Sequence, residues 1–378
     1  MDAIDEMDMP IPLPTTTRAL EDGIAAGLNT GAQLYVSRGG EVVADVGIGL
    51  AAPGVPMTPA TITLWMSAVK PVTAVAIALL WERGRLELDD PIARHVPEFA
   101  QNGKGGITLR HALTHTGGFR LVAGVTNTSV EAWDVILARI CAARPEPRWE
   151  PGRKAGYHVA TSWFLLAEIV RRLSGRAFDR FVREEVYEPL GMADSWIGMP
   201  AERAGAYAAE GRIAVYYDTS KGPPDIATPP PDAAALGLVR PGGNGRGPIR
   251  ELGRFYEMLL GRGRGVLRPQ TVEAITARHR VGLPDHSFGG ALIDWGLGVM
   301  LNSSHYYEGR PDWPYNFGPH AGPRTFGHSG AQSGCAFCDP DRELVVAWTC
   351  NGFPGEERHQ VRQRAINMAI YTDLALSA

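Results

Sequence analysis

The sequence predicts an α+β fold: one antiparallel sheet assembled from both ends of the chain, flanked by helices, with a large, mainly helical domain inserted between the two halves. Three observations carry this. Residues 33–50, QLYVSRGGEVVADVGIGL, alternate apolar and polar around Gly39-Gly40, the pattern of a hairpin. Residues 326–352 return to strand-like runs with a turn at DPDRE. From about 91 to 300 the signals are mainly helical. The expected division puts residues 15–90 and 300–378 in the sheet domain and 91–299 in the helical one.

Taken in order, residues 16–28 read as an amphipathic helix ahead of the hairpin. The run after Ser67 is apolar and closes near Gly84, so it reads as a helix. TLRHALTHTGG (108–118) reads as a short helix with a glycine stop, and 129–143 as a longer one. Residues 161–175 carry Thr161 as a candidate cap and Gly175 as a stop. Residues 249–263 repeat the pattern, and a last helix is expected at about 355–376. Two irregular segments, 222–247 and 304–323, exceed plain connector length and are candidate pocket walls.

The 378 residues are 44% hydrophobic and 21% charged, with a net charge of −4, an ordinary globular composition with material for a core. No basic run interleaves with aromatics, so no nucleic-acid partner is indicated. The acidic N-terminus lacks the features of a secretory signal, and the longest apolar run, near Val72–Trp81, is too short to span a bilayer. A soluble, cytoplasmic protein with no membrane partner is expected. Cys335 and Cys338 form a C-x-x-C pair, but on a strand they point to opposite faces and read as packing residues.

Chemistry is suggested first by LWMSAVKPVTAV. Ser67 precedes Lys70 by three residues, so both lie over one face of a helix start. Pro71 has no N–H to give the Ser67 carbonyl, which places the helix start at or just before Ser67. A lysine can take the serine proton only as a neutral amine, so its pKa, ordinarily ~10.4, must be lowered by burial or nearby positive charge. Ser-x-x-Lys alone is a weak signal. It gains weight from Tyr157, ahead of the helix at 161, and from GHSGA (327–331) at the start of a late strand.

At these residues the chain resembles the serine β-lactamase and penicillin-binding-protein superfamily, nearest to the class C β-lactamase branch with its carboxylesterases, D-aminopeptidases and acyltransferases. The likeness spans about residues 18–375. MSAVKPVTAVAIALLWERGRLELDDP is similar to the nucleophile helix, ITLRHALTHTGGF to the Leu-Leu-x-His-Thr-x-Gly signature, and RTFGHSGAQSGCAFCDP to the terminal strands. The resemblance implies a β-lactamase/transpeptidase-like fold with the active site between the domains. Ser67 would be the nucleophile, with Lys70 assisting its deprotonation and Tyr157 relaying the proton. The backbone N–H groups of Ser67 and Ala331 would form the oxyanion hole. His328, Ser329, Gly330, His158 and Trp313 would bind substrate. No metal and no cofactor are implied. The partners would be a small-molecule acyl donor and, for a transferase, a small acceptor.

Two departures bear on activity. The second motif reads Tyr157-His158-Val159 where β-lactamases carry Tyr-x-Asn, and the third reads His328-Ser329-Gly330 instead of Lys-Thr-Gly. Both resemble the esterase and acyltransferase members. The expected activity is hydrolysis of a small ester or amide, with inefficient β-lactam turnover. Acyl transfer to an alcohol or amine is the alternative, ahead of a D-aminopeptidase or a non-enzymatic sensor. His111 and His115 are spaced as in metalloprotease helices, but Ala112 stands where the glutamate is needed, so they read as structural. PGGNGRG (241–247) reads as a tight turn near the active site.

Overall fold

Among the described residues, seven strands form the main antiparallel sheet, in the order Met300–Leu301, Phe326–Gly330, Gly334–Asp339, Leu344–Cys350, Gly31–Arg38, Glu41–Ala52, Val55–Pro56. The computed structural model describes residues 13–222, 224–226, 232–307 and 313–377. The N-terminal stretch through residue 12, and positions 223, 227–231 and 308–312 of the two long irregular segments, lie outside the described residues. Both termini supply strands, as the sequence patterns predict. The N-terminal strand Gly31–Arg38 sits in the middle of the sheet, paired with Leu344–Cys350 on one side and Glu41–Ala52 on the other.

The first hairpin turns where expected. Arg38 pairs with Glu41, and Gly39 and Gly40 have φ of 58° and 86°. A two-residue turn with both central φ values positive matches the twist of its strands and suits glycine. The second hairpin turns at Asp339–Glu343, also as expected.

Alternate side chains of the sheet enter two separate cores. Leu34, Val36, Val346 and Trp348 pack with Leu20, Ile366 and Ile370 of the terminal helices Pro14–Ala25 and Glu356–Asp373. Tyr35, Val345 and Ala347 pack on the other face with Phe255, Tyr256 and Leu259 of the helix Ile249–Leu260. Cys335 falls in the first core and Cys338 in the second, the opposite-face placement predicted for them. Because both faces are covered, the polar residues of the central strand are buried and paired: Gln33 Nε2 donates to the Thr58 and Thr61 carbonyls, and Ser37 Oγ to Glu257.

The helix Lys70–Glu82 is buried on every side from Lys70 to Leu80 and lies at the centre of the larger core. Gly84, at φ 63°, stops it. The structure differs from expectation at two helices. Thr161 is the first residue of its helix and not the cap; its hydroxyl lies 3.1 Å from His158 Nδ1. The helix at 108 is capped by Thr108 and ends at Leu113, short of the glycines, because His115, just past the Thr114 cap, takes φ 59°, which cannot continue a helix; Gly118 turns further on, under Trp149. A Cβ on Gly118 would lie 2.1 Å from that ring. Among the described residues, no helix is long and apolar enough to cross a membrane.

Candidate active site

The strand Thr63–Met66 runs into a single 3₁₀ turn, Ser67–Val69, which continues as the α-helix from Lys70. Met66 takes φ 51° and ψ −136°, a conformation that costs a non-glycine residue of order 1–3 kcal/mol and persists only where its surroundings hold it. The kink delivers Ser67 to the floor of a cavity of about 470 Å³, with the serine 7% exposed. The Ser67 carbonyl accepts the Lys70 N–H, so the missing donor of Pro71 leaves nothing unpaired there.

Lys70 is fully buried. Its Nζ lies 2.9 Å from Ser67 Oγ and 2.5 Å from the carbonyl oxygen of Gly242. The rings of Tyr157 and Trp163 stand 5.2 and 5.5 Å from it. Among the described residues no carboxylate pairs with Lys70. Burial therefore holds its ammonium form well below the ordinary lysine range. A neutral amine keeps two N–H groups and one lone pair; Gly242 takes an N–H, which leaves the lone pair for the serine proton.

Tyr157 lines the same cavity as Ser67, and its ring stands over the Lys70 amine beside the Ser67 hydroxyl. Burial raises its phenol above the usual value; the nearby Ser67 hydroxyl works against this and Asp285 adds to it. The phenol is thus a neutral donor. Its segment is gripped at three successive amides: Gly156 N–H donates to His115 O, Tyr157 N–H to Asp285 Oδ1, and His158 N–H to His115 Nδ1. The His115 ring lies 4.6 Å from the Tyr157 ring. Asp285 is held by Arg280 in a buried ion pair at 3.0 Å, and Arg280 also bonds the Thr114 carbonyl beside His115. His111 caps its own helix through Nδ1. Both histidines serve the local fold.

The strand Phe326–Gly330 passes against the Ser67 turn because Gly330 has no side chain. A Cβ there would lie 2.6 Å from Trp65 O and 3.3 Å from Met66 Cβ. Ala331 follows and lines the cavity with Ser67. His328 also lines it, and burial pushes its pKa down to about 3. Its Nδ1 lies 2.8 Å from the Ser329 carbonyl, which can only accept, so Nδ1 carries the proton of a neutral ring.

Two of the predicted substrate contacts, His158 and Trp313, are placed otherwise. The His158 ring does not line the cavity; it is buried against Thr161 and Ser162 at 3.1 and 2.9 Å, while the next side chain, Val159, faces the cavity. Ser329 lines the cavity as expected, while its hydroxyl donates to Gln363 Oε1 at 3.2 Å, on the C-terminal helix. Trp313 stacks on Tyr307 at 5.5 Å, outside the Ser67 cavity, and Tyr315 of the same segment lines it instead. Asn127, Phe288 and the Gly242 carbonyl also belong to the site, although no motif in the sequence marks the side chains of Asn127 and Phe288 for it. Asn127 Nδ2 donates to the Val159 and Gly242 carbonyls, both at 3.2 Å. The PGGNGRG turn does lie at the site, as expected, and was the one sequence signal for Gly242. A larger surface cavity, about 790 Å³, surrounds Gly39, Arg264 and Arg324; it shares no residue with the Ser67 site, and the chemistry selects the smaller one.

A serine at a kinked helix start, with a buried amine on its oxygen and a phenol lining the same cavity, in this fold, defines the β-lactamase-fold serine hydrolases. The sequence model of the Beta-lactamase family matches residues 17–369, and the chain belongs to that family. It is 28% identical over 351 residues to the esterase/β-lactamase LipL of Mycobacterium tuberculosis, covering 85% of this chain and 77% of the relative. A penicillin-binding-protein homologue from Caulobacter crescentus superposes with a TM-score of 0.78 at 31% identity, over 96% and 98% of the two chains. A family VIII carboxylesterase superposes with a TM-score of 0.77 at 25% identity, over 96% and 97%.

Proposed function

We propose that the protein is a serine carboxylesterase that cleaves small, uncharged esters through an acyl-enzyme on Ser67. The observation that carries this reading is the fully buried Lys70 Nζ 2.9 Å from Ser67 Oγ, with Tyr157 lining the same cavity. Neutral Lys70 takes the serine proton as Oγ bonds the ester carbonyl carbon. The oxyanion is met by the backbone N–H groups of Ser67 and Ala331; one such donor is worth about 2.7–4 kcal/mol. Tyr157 gives its proton to the departing alkoxide as the carbon–oxygen bond breaks, and recovers one from the Lys70 ammonium. Water then repeats the sequence on the acyl-enzyme.

An ester is favoured over a β-lactam by two residues. Val159 offers no hydrogen bond to a substrate amide, and neutral His328 offers no cation to a substrate carboxylate. The test is a fluorophosphonate probe with intact-mass detection, followed by turnover of an ester panel beside a cephalosporin. One adduct on Ser67 and ester rates far above the cephalosporin rate are expected. No adduct, or cephalosporin turnover rivalling the esters, overturns the reading.

A further inference from the structure

We infer that Phe288 and Tyr315 form the subsite for the group leaving the acyl carbon, and that this subsite takes an aryl or arylalkyl alcohol. The inference rests on the Ser67–Lys70–Tyr157 reading above.

Tyr157 decides the side. To protonate the departing oxygen, its hydroxyl must lie within hydrogen-bond reach of it, so that oxygen sits on the Tyr157 side of Ser67. Whatever it carries continues into the wall that adjoins Tyr157. That wall is aromatic: the Phe288 ring lies 5.6 Å from Tyr157, tilted by 43°, and the Tyr315 ring 5.2 Å from Phe288, tilted by 58°. All three line the cavity with Ser67. Aromatic pairs at such spacings and tilts attract beyond their apolar area, so a further ring gains edge and face contacts that an alkyl group does not.

Both rings are held in place. Phe288 sits in a tight turn where its N–H and that of Gly290 both donate to the Asp285 carbonyl, the residue that also anchors Tyr157. Tyr315 is fastened at both ends, its N–H to Gln360 Oε1 at 2.8 Å and its hydroxyl to Glu356 Oε2 at 2.7 Å. That carboxylate also lines the cavity and disfavours an anionic leaving group.

The reverse step uses the same space. In acylation the Ser67 oxygen bonds the acyl carbon, the carbon–oxygen bond to the aromatic alcohol breaks, and that oxygen takes the Tyr157 proton. Run backwards, an aromatic alcohol in the subsite gives its proton to Tyr157 as Tyr157 passes its own to the neutral Lys70 amine; the alcohol oxygen bonds the acyl carbon, the bond to Ser67 breaks, and the Ser67 oxygen takes the proton back from Lys70. The subsite therefore also supports transfer of the acyl group to an aromatic alcohol, in competition with water.

The test compares benzyl butanoate with cyclohexylmethyl butanoate, which share the acyl group and nearly the size of the alcohol. Wild type is expected to show kcat/KM at least about fivefold higher for the benzyl ester, the scale of one aromatic contact. Phe288→Leu, and independently Tyr315→Leu, should bring the ratio toward one. Benzyl alcohol added to the butanoyl-enzyme should speed its decay and yield benzyl butanoate, and Phe288→Leu should lose this. A wild-type ratio near one, or a ratio that survives both substitutions, overturns the inference. Ser67→Ala separates the two failures: if it abolishes turnover while the ratio is one, the nucleophile stands and the aromatic subsite does not.

Discussion

The side-chain nitrogen of Lys70 lies 2.5 Å from the carbonyl oxygen of Gly242, a residue 172 positions along the chain. That contact orients the amine and keeps it out of water without supplying a negative charge, the condition for a lysine that works as a base. The base is the neutral form. Activity is therefore present above the Lys70 pKa and is lost as pH falls through it. A pH profile of kcat/KM should show this acidic limb. Lys70→Ala should lower kcat by about 10²–10⁴-fold and remove the limb from the residual rate.

Asn127 shares the Gly242 carbonyl with Lys70, and its seat exists because Gly243 lacks a side chain. A Cβ at Gly243 would lie 2.4 Å from Asn127 Cγ. Gly243→Ala should displace Asn127, admit water to Lys70 and raise the Lys70 pKa. The expected outcome is an acidic limb moved to higher pH and a kcat loss of at least about tenfold, as for other small misplacements of a reacting group. Asn127→Ala should move the limb the same way.

His115 takes the N–H groups on both sides of Tyr157 and itself has φ 59°. Asparagine tolerates that conformation and offers an acceptor oxygen near the position of Nδ1. His115→Leu should lower kcat by about 10²-fold with little change in KM, and should cost about 1–3 kcal/mol of stability through the orphaned His158 N–H. His115→Asn should recover much of both. In a Tyr157→Phe background, His115→Leu should cost little further kcat; full additivity would show that the histidine does not act through Tyr157.

His158, His328 and His359 are buried, and burial pushes each down to about 3. In the unfolded chain they titrate near ~6.5, so between about 6.5 and 3 the unfolded state binds more protons. Their neutral burial is without penalty above that window, and stability falls as pH drops through it, each histidine contributing up to about 1.4 kcal/mol per pH unit. Urea denaturation at a series of pH values should show the decline. His359→Gln, on the C-terminal helix, should reduce its slope by about one histidine's share.

Much of this molecule is local information. The two-residue period of 33–50 and 326–352, the paired turn glycines at 39 and 40, and the stop at Gly84 specify strands and a helix wherever they occur. The three-residue spacing of Ser67 and Lys70 puts both groups over one turn before any packing is known. The positions of Tyr157 and of the glycine after Ser329 become legible only through the resemblance, because nothing within either segment says that it will meet Ser67.

Other features depend on how distant segments cross. Asn127, Gly242 and Phe288 are ordinary loop residues in sequence; Asn127 and Phe288 line the Ser67 cavity and Gly242 meets Lys70 only because their distant segments cross over the start of the Lys70 helix. Whether His158 or Val159 faces the cavity turns on a single step of backbone alternation, set by the grip of His115 and Asp285 on the preceding amides. The choice of Tyr315 over Trp313 has the same origin: Glu356 and Gln360, in the first two turns of the C-terminal helix, bond Tyr315. Periodicity and spacing act over a few residues and can be read along the chain; which side chain lines a cavity is fixed by contacts between segments that the linear order does not bring together.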